Sequence, residues 1–425
     1  MPEVLKEQYL SLNAFINNHC KRINKNIFYQ VGYEALGPLF KGFVEWLQKE
    51  LHLNNIQKCY FLARDGKIMQ RAYKLLPIEE QVDTQYMYAS RRMLIVPTLW
   101  MCESLNEVVS SMFLPKSGTI GAFIKKIGLN EIEYLEQLKS YGYGVDEIYI
   151  YEKLFENKNF KDFFEVIKRD MYQNSKSEFD AYVSYLKEIG FAGKVAVVDI
   201  GWHGNMQKAL KKLCAVAGID VDIYGYYLGL NPNINNKLVS INVKAFLFDG
   251  QNNQIYYKYR CNFTNLFELL LTADHGSCEK FSYNSDKYGV VLKPFEYINS
   301  DGKCAYEYES IKSIQEGAID FLMAVNCEKQ FIINWHPNLA FQNLLLLGIN
   351  PNQELAYRFG DLRMMDDELL YLARPNQLIS YMINPSRYFT DLRSALWKVG
   401  FKKRLFKINF KYYKYKFEKI FRIRS

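Results

Sequence analysis

Val195 to Val198 are four successive β-branched or small apolar residues, the pattern of a strand covered on both faces. The run meets Asp199 and then a turn holding Gly201 and Gly204, and from Met206 to Leu213 the apolar spacing becomes helical. That succession predicts that Asp199 lies at the carboxyl end of a parallel strand, where ligands sit in open α/β sheets. Glycines in such a turn let backbone N–H groups approach an anion at the helix N-terminus. The plain alternative is an ordinary strand-to-helix loop. The pattern recurs upstream. Cys59–Ala63 is a short apolar strand that runs into Arg64-Asp65-Gly66-Lys67, followed by helical spacing at Ile68, Met69, Ala72, Leu75 and Leu76. A third strand, Tyr86–Ala89, leads into Ser90-Arg91-Arg92.

Three strand ends are thus expected to bring Arg64, Asp65, Ser90, Arg91, Arg92, Asp199 and His203 to one rim. Guanidinium forks beside a glycine turn suit a polyanion such as diphosphate. Structural ion pairs among these charges are the bland alternative.

Residues 1–53 read as helical, with a compact amphipathic stretch over Gly32–Leu51. Asp222–Leu230 and Val243–Phe248 read as further strands, Asn262–Leu271 as a helix, and Ser310–Ala324 and Asn338–Leu347 as the best-patterned helices downstream. The expected organisation is therefore α/β. Residues 1–102 hold N-terminal helices and the first strand–turn–helix units, and 103–190 form a helical insertion. Residues 191–300 complete the mainly parallel sheet, 301–397 are helical, and 398–425 form a basic tail.

Composition adds limits. No apolar run among the 425 residues approaches the length of a membrane span, and Met1–Asn18 lacks a signal-peptide layout. The eight cysteines are scattered with no Cys-x-x-Cys, which argues against zinc and fits a reducing cytosol. Net charge is +8, but Lys398–Ser425 holds eleven Lys/Arg against Glu418, leaving the rest of the chain at about −2. Phe406, Phe410, Tyr413, Phe417 and Ile420 fall on one helical stripe of that tail. A basic aromatic helix of this kind suits an anionic membrane surface. Single-stranded nucleic acid and a merely solvated tail are the rival readings.

No Walker loop, GxGxxG or GxSxG occurs, so neither an ATP cradle, a nicotinamide or flavin dinucleotide site nor a hydrolase elbow is signalled. The nearest string to a haloacid-dehalogenase signature, Asp220-Val-Asp222-Ile-Tyr224, begins a strand and lacks the threonine.

Gly37-Pro38-Leu-Phe-Lys-Gly42, Phe61-Leu-Ala-Arg-Asp-Gly66, Ser90-Arg91-Arg92, Val198-Asp-Ile-Gly-Trp-His-Gly204 with Gln207, and Glu268 followed by Ala273-Asp-His-Gly-Ser277 together resemble the bacterial ribofuranosyltransferase family. Its members often carry the label of predicted haloacid-dehalogenase hydrolase, because a phosphatase domain usually precedes a glycan phosphoribosyltransferase domain. The resemblance covers about residues 30–285 and lacks the phosphatase, so removal of the 5-phosphate would fall to a separate protein or not happen.

The resemblance implies a divergent phosphoribosyltransferase-like fold and transfer of 5-phosphoribosyl from phosphoribosyl diphosphate to a sugar hydroxyl, with magnesium, in surface polysaccharide synthesis. The acceptor would be a lipid-linked glycan, and the protein would sit in the cytoplasm on the inner membrane face. Arg64, Ser90, Arg91 and Arg92 would take the diphosphate. Gly201, Trp202, Gly204, Asn205 and Gln207 would cradle the 5-phosphate, and Asp199 would contact ribose hydroxyls or the metal. Asp65, His203 and His275 are candidate general bases, with Asp65 preferred, and Glu268, His275 and Ser277 are candidates on the acceptor side. The remaining alternatives are another phosphorylated pentose donor, or a non-catalytic protein tethering polysaccharide assembly to the membrane.

Overall fold

Val195–Val198 do form the centre of a parallel sheet in the computed structural model, which describes residues 3–20, 26–112, 114–231, 242–284, 287–328, 330–365 and 368–408. The sheet strands are β1 (Lys58–Leu62), β2 (Asp83–Met87), β3 (Gly193–Trp202), β4 (Val221–Leu230) and β5 (Asn242–Phe248). Every neighbouring pair is parallel, in the order β2-β1-β3-β4-β5. The order reverses between β1 and β3, so the crevice at their carboxyl ends is the topological switch point of the sheet. The molecule is α/β.

Alternation along the strands splits the core into two faces. Cys59, Phe61, Ala196 and Val198 face one side with α1 (Gly37–Leu53) and α2 (Gly66–Tyr73). Tyr60, Leu62, Val195 and Val197 face the other. Ser90 caps α3 (Arg91–Ile95) by accepting from the Met93 N–H at 3.1 Å, which ends β2 short of Tyr88 and Ala89.

A helical insertion follows, containing α4 (Ile120–Lys126) and the long α5 (Lys158–Glu188). Its separate core takes in Val96 and Leu99, upstream of the expected boundary at 103, together with Phe160, Phe163 and Ile167 of α5. Further along the same helix, Phe179, Tyr182 and Leu186 join the second sheet face beside Leu210 and Leu213 of α6 (Asn205–Val216). One helix therefore ties two cores together.

The short α7 (Thr264–Leu270) leads to an antiparallel hairpin, β6 (Cys278–Asn284) and β7 (Lys287–Leu292), that the sequence pattern does not announce. Next comes α8 (Tyr306–Cys327), which crosses the N-terminal helices at close range. A Cβ on Gly317 would lie 2.1 Å from the Tyr29 carbonyl oxygen, and one on Gly32 would lie 1.9 Å from that of Ile314. The N-terminal helices and the C-terminal third are thus not separate bodies but one core, running from Leu12 to Phe401.

The described chain ends in α9 (Leu378–Ile383), α10 (Pro385–Ser394) and α11 (Lys398–Phe406). The first residues of the expected tail are docked: Val399 and Phe401 are buried, and Arg404 donates to Asp361 at 2.9 Å. The helix stops at Phe406, with Lys407 at φ 58°. Phe410, Tyr413, Phe417 and Ile420 of the expected stripe lie outside the described residues. Among the described residues, no helix is long and apolar enough to cross a membrane.

Candidate functional site

The chain leaves β1 at Leu62 and turns through Ala63-Arg64-Asp65 into α2, with the Ala63–Arg64 peptide bond cis. Gly66 is needed for that return, since a Cβ there would lie 2.7 Å from the Phe61 carbonyl carbon. Val198 pairs in register with Phe61, so Asp199 and the Arg64-Asp65 turn emerge side by side at the switch point.

The two acids sense each other. Burial pushes the Asp65 carboxyl well above the usual range, and Asp199 and Glu268 push it further against the opposing Arg64. Burial likewise raises Asp199, to about 6, with Glu268 adding to the effect; the amides of Ile200 and Gly201 and the Arg91 guanidinium oppose it. Two proton-hungry carboxylates at one crevice fit a site that a cation would ionise. Magnesium is commonly held by one or two carboxylates plus substrate phosphate oxygens, and Asp199 can supply such a carboxylate. Among the described residues, no group of three or more His, Cys, Asp or Glu is placed to hold a metal ion alone.

The expected cations divide. Arg64 reaches the site but is paired with Glu296, an acid 5% exposed that sequence reasoning missed. Lys67, next to it, pairs with Asp274. Arg91 is exposed at the third strand end and makes no side-chain hydrogen bond or ion pair to a described residue, while its charge reaches Asp199. Arg92 is committed elsewhere. Its fork donates to both oxygens of Glu178 at 2.9 Å and to the Glu279 carbonyl at 2.6 Å, which staples α5 and the hairpin to α3. Ser90 is likewise occupied as a helix cap.

The glycine turn also divides. Gly201 has φ 102°, and a Cβ on it would lie 2.5 Å from the Gly229 carbonyl oxygen. Its requirement is therefore set by β4, not by a ligand. Trp202, at φ 71°, is buried: its indole N–H donates to Glu268 at 2.7 Å, its ring lies parallel to Phe248, and Arg260 covers it at 3.8 Å. Gln207 is a buried clamp rather than a phosphate ligand. It donates to the carbonyls of Ile223 and Asn242 at 2.8 and 3.0 Å and accepts from the Tyr227 hydroxyl at 2.9 Å. Gly204, at φ 61°, precedes α6, and Asn205 opens that helix; these two remain beside amides able to meet an anion. His203 is exposed, with Nε2 3.3 Å from Asn231 Nδ2.

On the acceptor side, His275 is occupied at both nitrogens. Tyr86 donates to Nε2 at 2.7 Å, which leaves the Nδ1 proton for the Gly276 carbonyl at 2.8 Å. Burial lowers its proton affinity, favouring the neutral ring. This removes His275 as a free base. Glu268 serves Trp202, and Ser277 is exposed with its carbonyl accepting from the Lys293 N–H. No protein-family model matches the chain, and no curated protein matches it either.

Proposed function

We propose that the chain is a glycan phosphoribosyltransferase that moves 5-phosphoribosyl from phosphoribosyl diphosphate to a sugar hydroxyl. The observation that carries this reading is the pairing of Asp65 and Asp199 at the switch point with Arg64 and Arg91 beside them. Displacement at C1 passes through an oxocarbenium-like state, so catalysis rests on holding the leaving diphosphate and the developing positive charge. Bound magnesium would neutralise diphosphate. Arg64 and Arg91 orient the leaving group, Asp199 faces the ribose hydroxyls or the metal, and the amides at Gly204 and Asn205 take the 5-phosphate. Asp65 accepts the acceptor hydroxyl proton, burial and the neighbouring acids having raised its proton affinity above that of an ordinary carboxylate. The C1–diphosphate bond breaks, the C1–acceptor oxygen bond forms, and diphosphate leaves. The test is diphosphate release with phosphoribosyl diphosphate, magnesium and lipid-linked acceptor pools. Release that depends on acceptor and is lost in Asp65→Asn supports the reading; no turnover of this donor overturns it.

A peripheral position on an anionic membrane belongs to the same reading. Leu378, Ile379, Met382 and Ile383 of α9 and Phe389 of α10 are 47% to 80% exposed. They sit within residues 374–425, which carry fourteen Lys/Arg against Asp391 and Glu418. An apolar edge set in positive charge suits insertion among acidic headgroups.

A further inference from the structure

A cleft of about 620 Å³ opens between α3, the end of α4 and the β6–β7 hairpin. Arg91, Lys126, Lys280 and Lys293 line it and make no side-chain hydrogen bond or ion pair to a described residue. Two more cations at its wall are already neutralised: Lys125 by Glu131, and Arg92 by the buried Glu178. Glu279 is the other acid on the lining, so positive charge is in clear excess. Between the cations the surface is apolar, from Ile95, Met112 and Leu129.

The mutual repulsion of four cations facing one concavity is offset only in part, by Glu279 on the lining and, for Arg91, by Asp199. What relieves it is an anion. The place of the cleft matters equally. Arg91 belongs to both regions, lining the cleft while its charge reaches Asp199. A molecule held by Lys126, Lys280 and Lys293 therefore approaches the Asp65–Asp199 crevice from the insertion side. The Arg92 staple, joining α3 to Glu178 of α5 and to the Glu279 carbonyl of the hairpin, holds the walls in register.

Resting on the function proposed above, we infer that this cleft is the acceptor subsite and that the acceptor carries phosphate or diphosphate, the cations gripping the anion and the apolar strip taking the adjoining sugar or lipid. A glycosyl phosphate and a prenyl phosphate share that chemistry.

The test measures equilibrium binding of glucose 1-phosphate, of a short-chain prenyl phosphate and, separately, of phosphoribosyl diphosphate with magnesium. The wild-type chain is compared with the triple variant Lys126→Glu, Lys280→Glu, Lys293→Glu, whose side chains have no internal partners to lose; circular dichroism checks its fold. Expected is salt-sensitive binding of at least one phosphate probe, weakened about tenfold or more in the variant, with donor affinity unchanged. Preference for the glucose or the prenyl probe tells which source of phosphate the cleft takes. Equal affinity of both proteins for both probes, or no binding of either, overturns the inference. So does competition between probe and donor with parallel loss in the variant, which would make the cleft the donor seat. Probe binding without donor binding leaves the cleft standing and removes the transferase reading.

Discussion

Replacing Asp199 by asparagine keeps the size of the side chain and removes its ionisation, and the ligand-free protein should become more stable at neutral pH. The native carboxyl keeps its proton up to about pH 6, against an ordinary 3.8. Between those values the native state binds more protons than the unfolded chain, so stability falls as pH rises through the window. The gap of roughly 2 pH units corresponds to about 3 kcal/mol at pH 7.5, an upper bound because Asp65 relaxes with it. Asp199→Asn should recover much of that penalty at pH 7.5, raising the melting temperature by several degrees, with the advantage shrinking to nothing below about pH 4. Thermal melts across pH 3.5–8 measure it. Magnesium with phosphoribosyl diphosphate should raise the melting temperature of the parent and not of the variant. A variant less stable than the parent by the same amount at every pH would refute the argument that burial and neighbouring acids set this carboxyl.

Arg64→Ala should lower turnover on the order of 10²–10³-fold; because it also strands the buried Glu296, it should cost about 3–5 kcal/mol of stability. Arg64→Ala with Glu296→Gln should restore folding but not turnover, and recovered turnover would take Arg64 out of the site. Gly201→Ala should destabilise by about 2 kcal/mol or more, since the new methyl meets the Gly229 carbonyl at a strained φ, whereas Gly204→Ala should chiefly weaken donor binding, separable by melting and calorimetry. His275→Gln should leave the pH profile of turnover in place, and loss of a limb near neutrality would restore His275 as the base. Met382→Asp with Ile383→Asp should reduce sedimentation with anionic vesicles tenfold or more without altering the melt, each lost apolar contact counting for about 1–2 kcal/mol; unchanged sedimentation would remove the α9 edge from the membrane face.

The strand ends were readable because periodicity and turn chemistry are local: Val195–Val198, Asp199 and the Arg64-Asp65 turn announce themselves within a dozen residues. What each side chain is committed to was not readable, because the commitments are made by residues far along the chain. Arg92 is taken by Glu178, 86 positions away, and Arg64 by Glu296, 232 positions away. Gln207 looked like part of a phosphate turn because it follows the glycines, yet on α6 it points inward, where two strand carbonyls and Tyr227 need it. The hairpin at 278–292 mixes charged and apolar residues on a partly solvated ribbon, which blurs the alternation that marks a buried strand. The pairing of the N-terminal helices with α8 depends on Gly32 meeting the Ile314 carbonyl and Gly317 the Tyr29 carbonyl across the fold, and nothing in either segment names the other.

That last pairing has a consequence for how the protein is made. Tyr33, Gly37 and their neighbours on the N-terminal helices present an apolar face that is sealed by Ile314, Phe321 and Leu322 of α8. At roughly 5–20 residues per second, a ribosome that has finished α1 needs about 14–55 s more to deliver α8. During that interval the N-terminal helices hold an open hydrophobic face. The nascent chain is then a client for holding factors, and a stop codon near residue 300 should yield an aggregating product rather than a smaller folded protein.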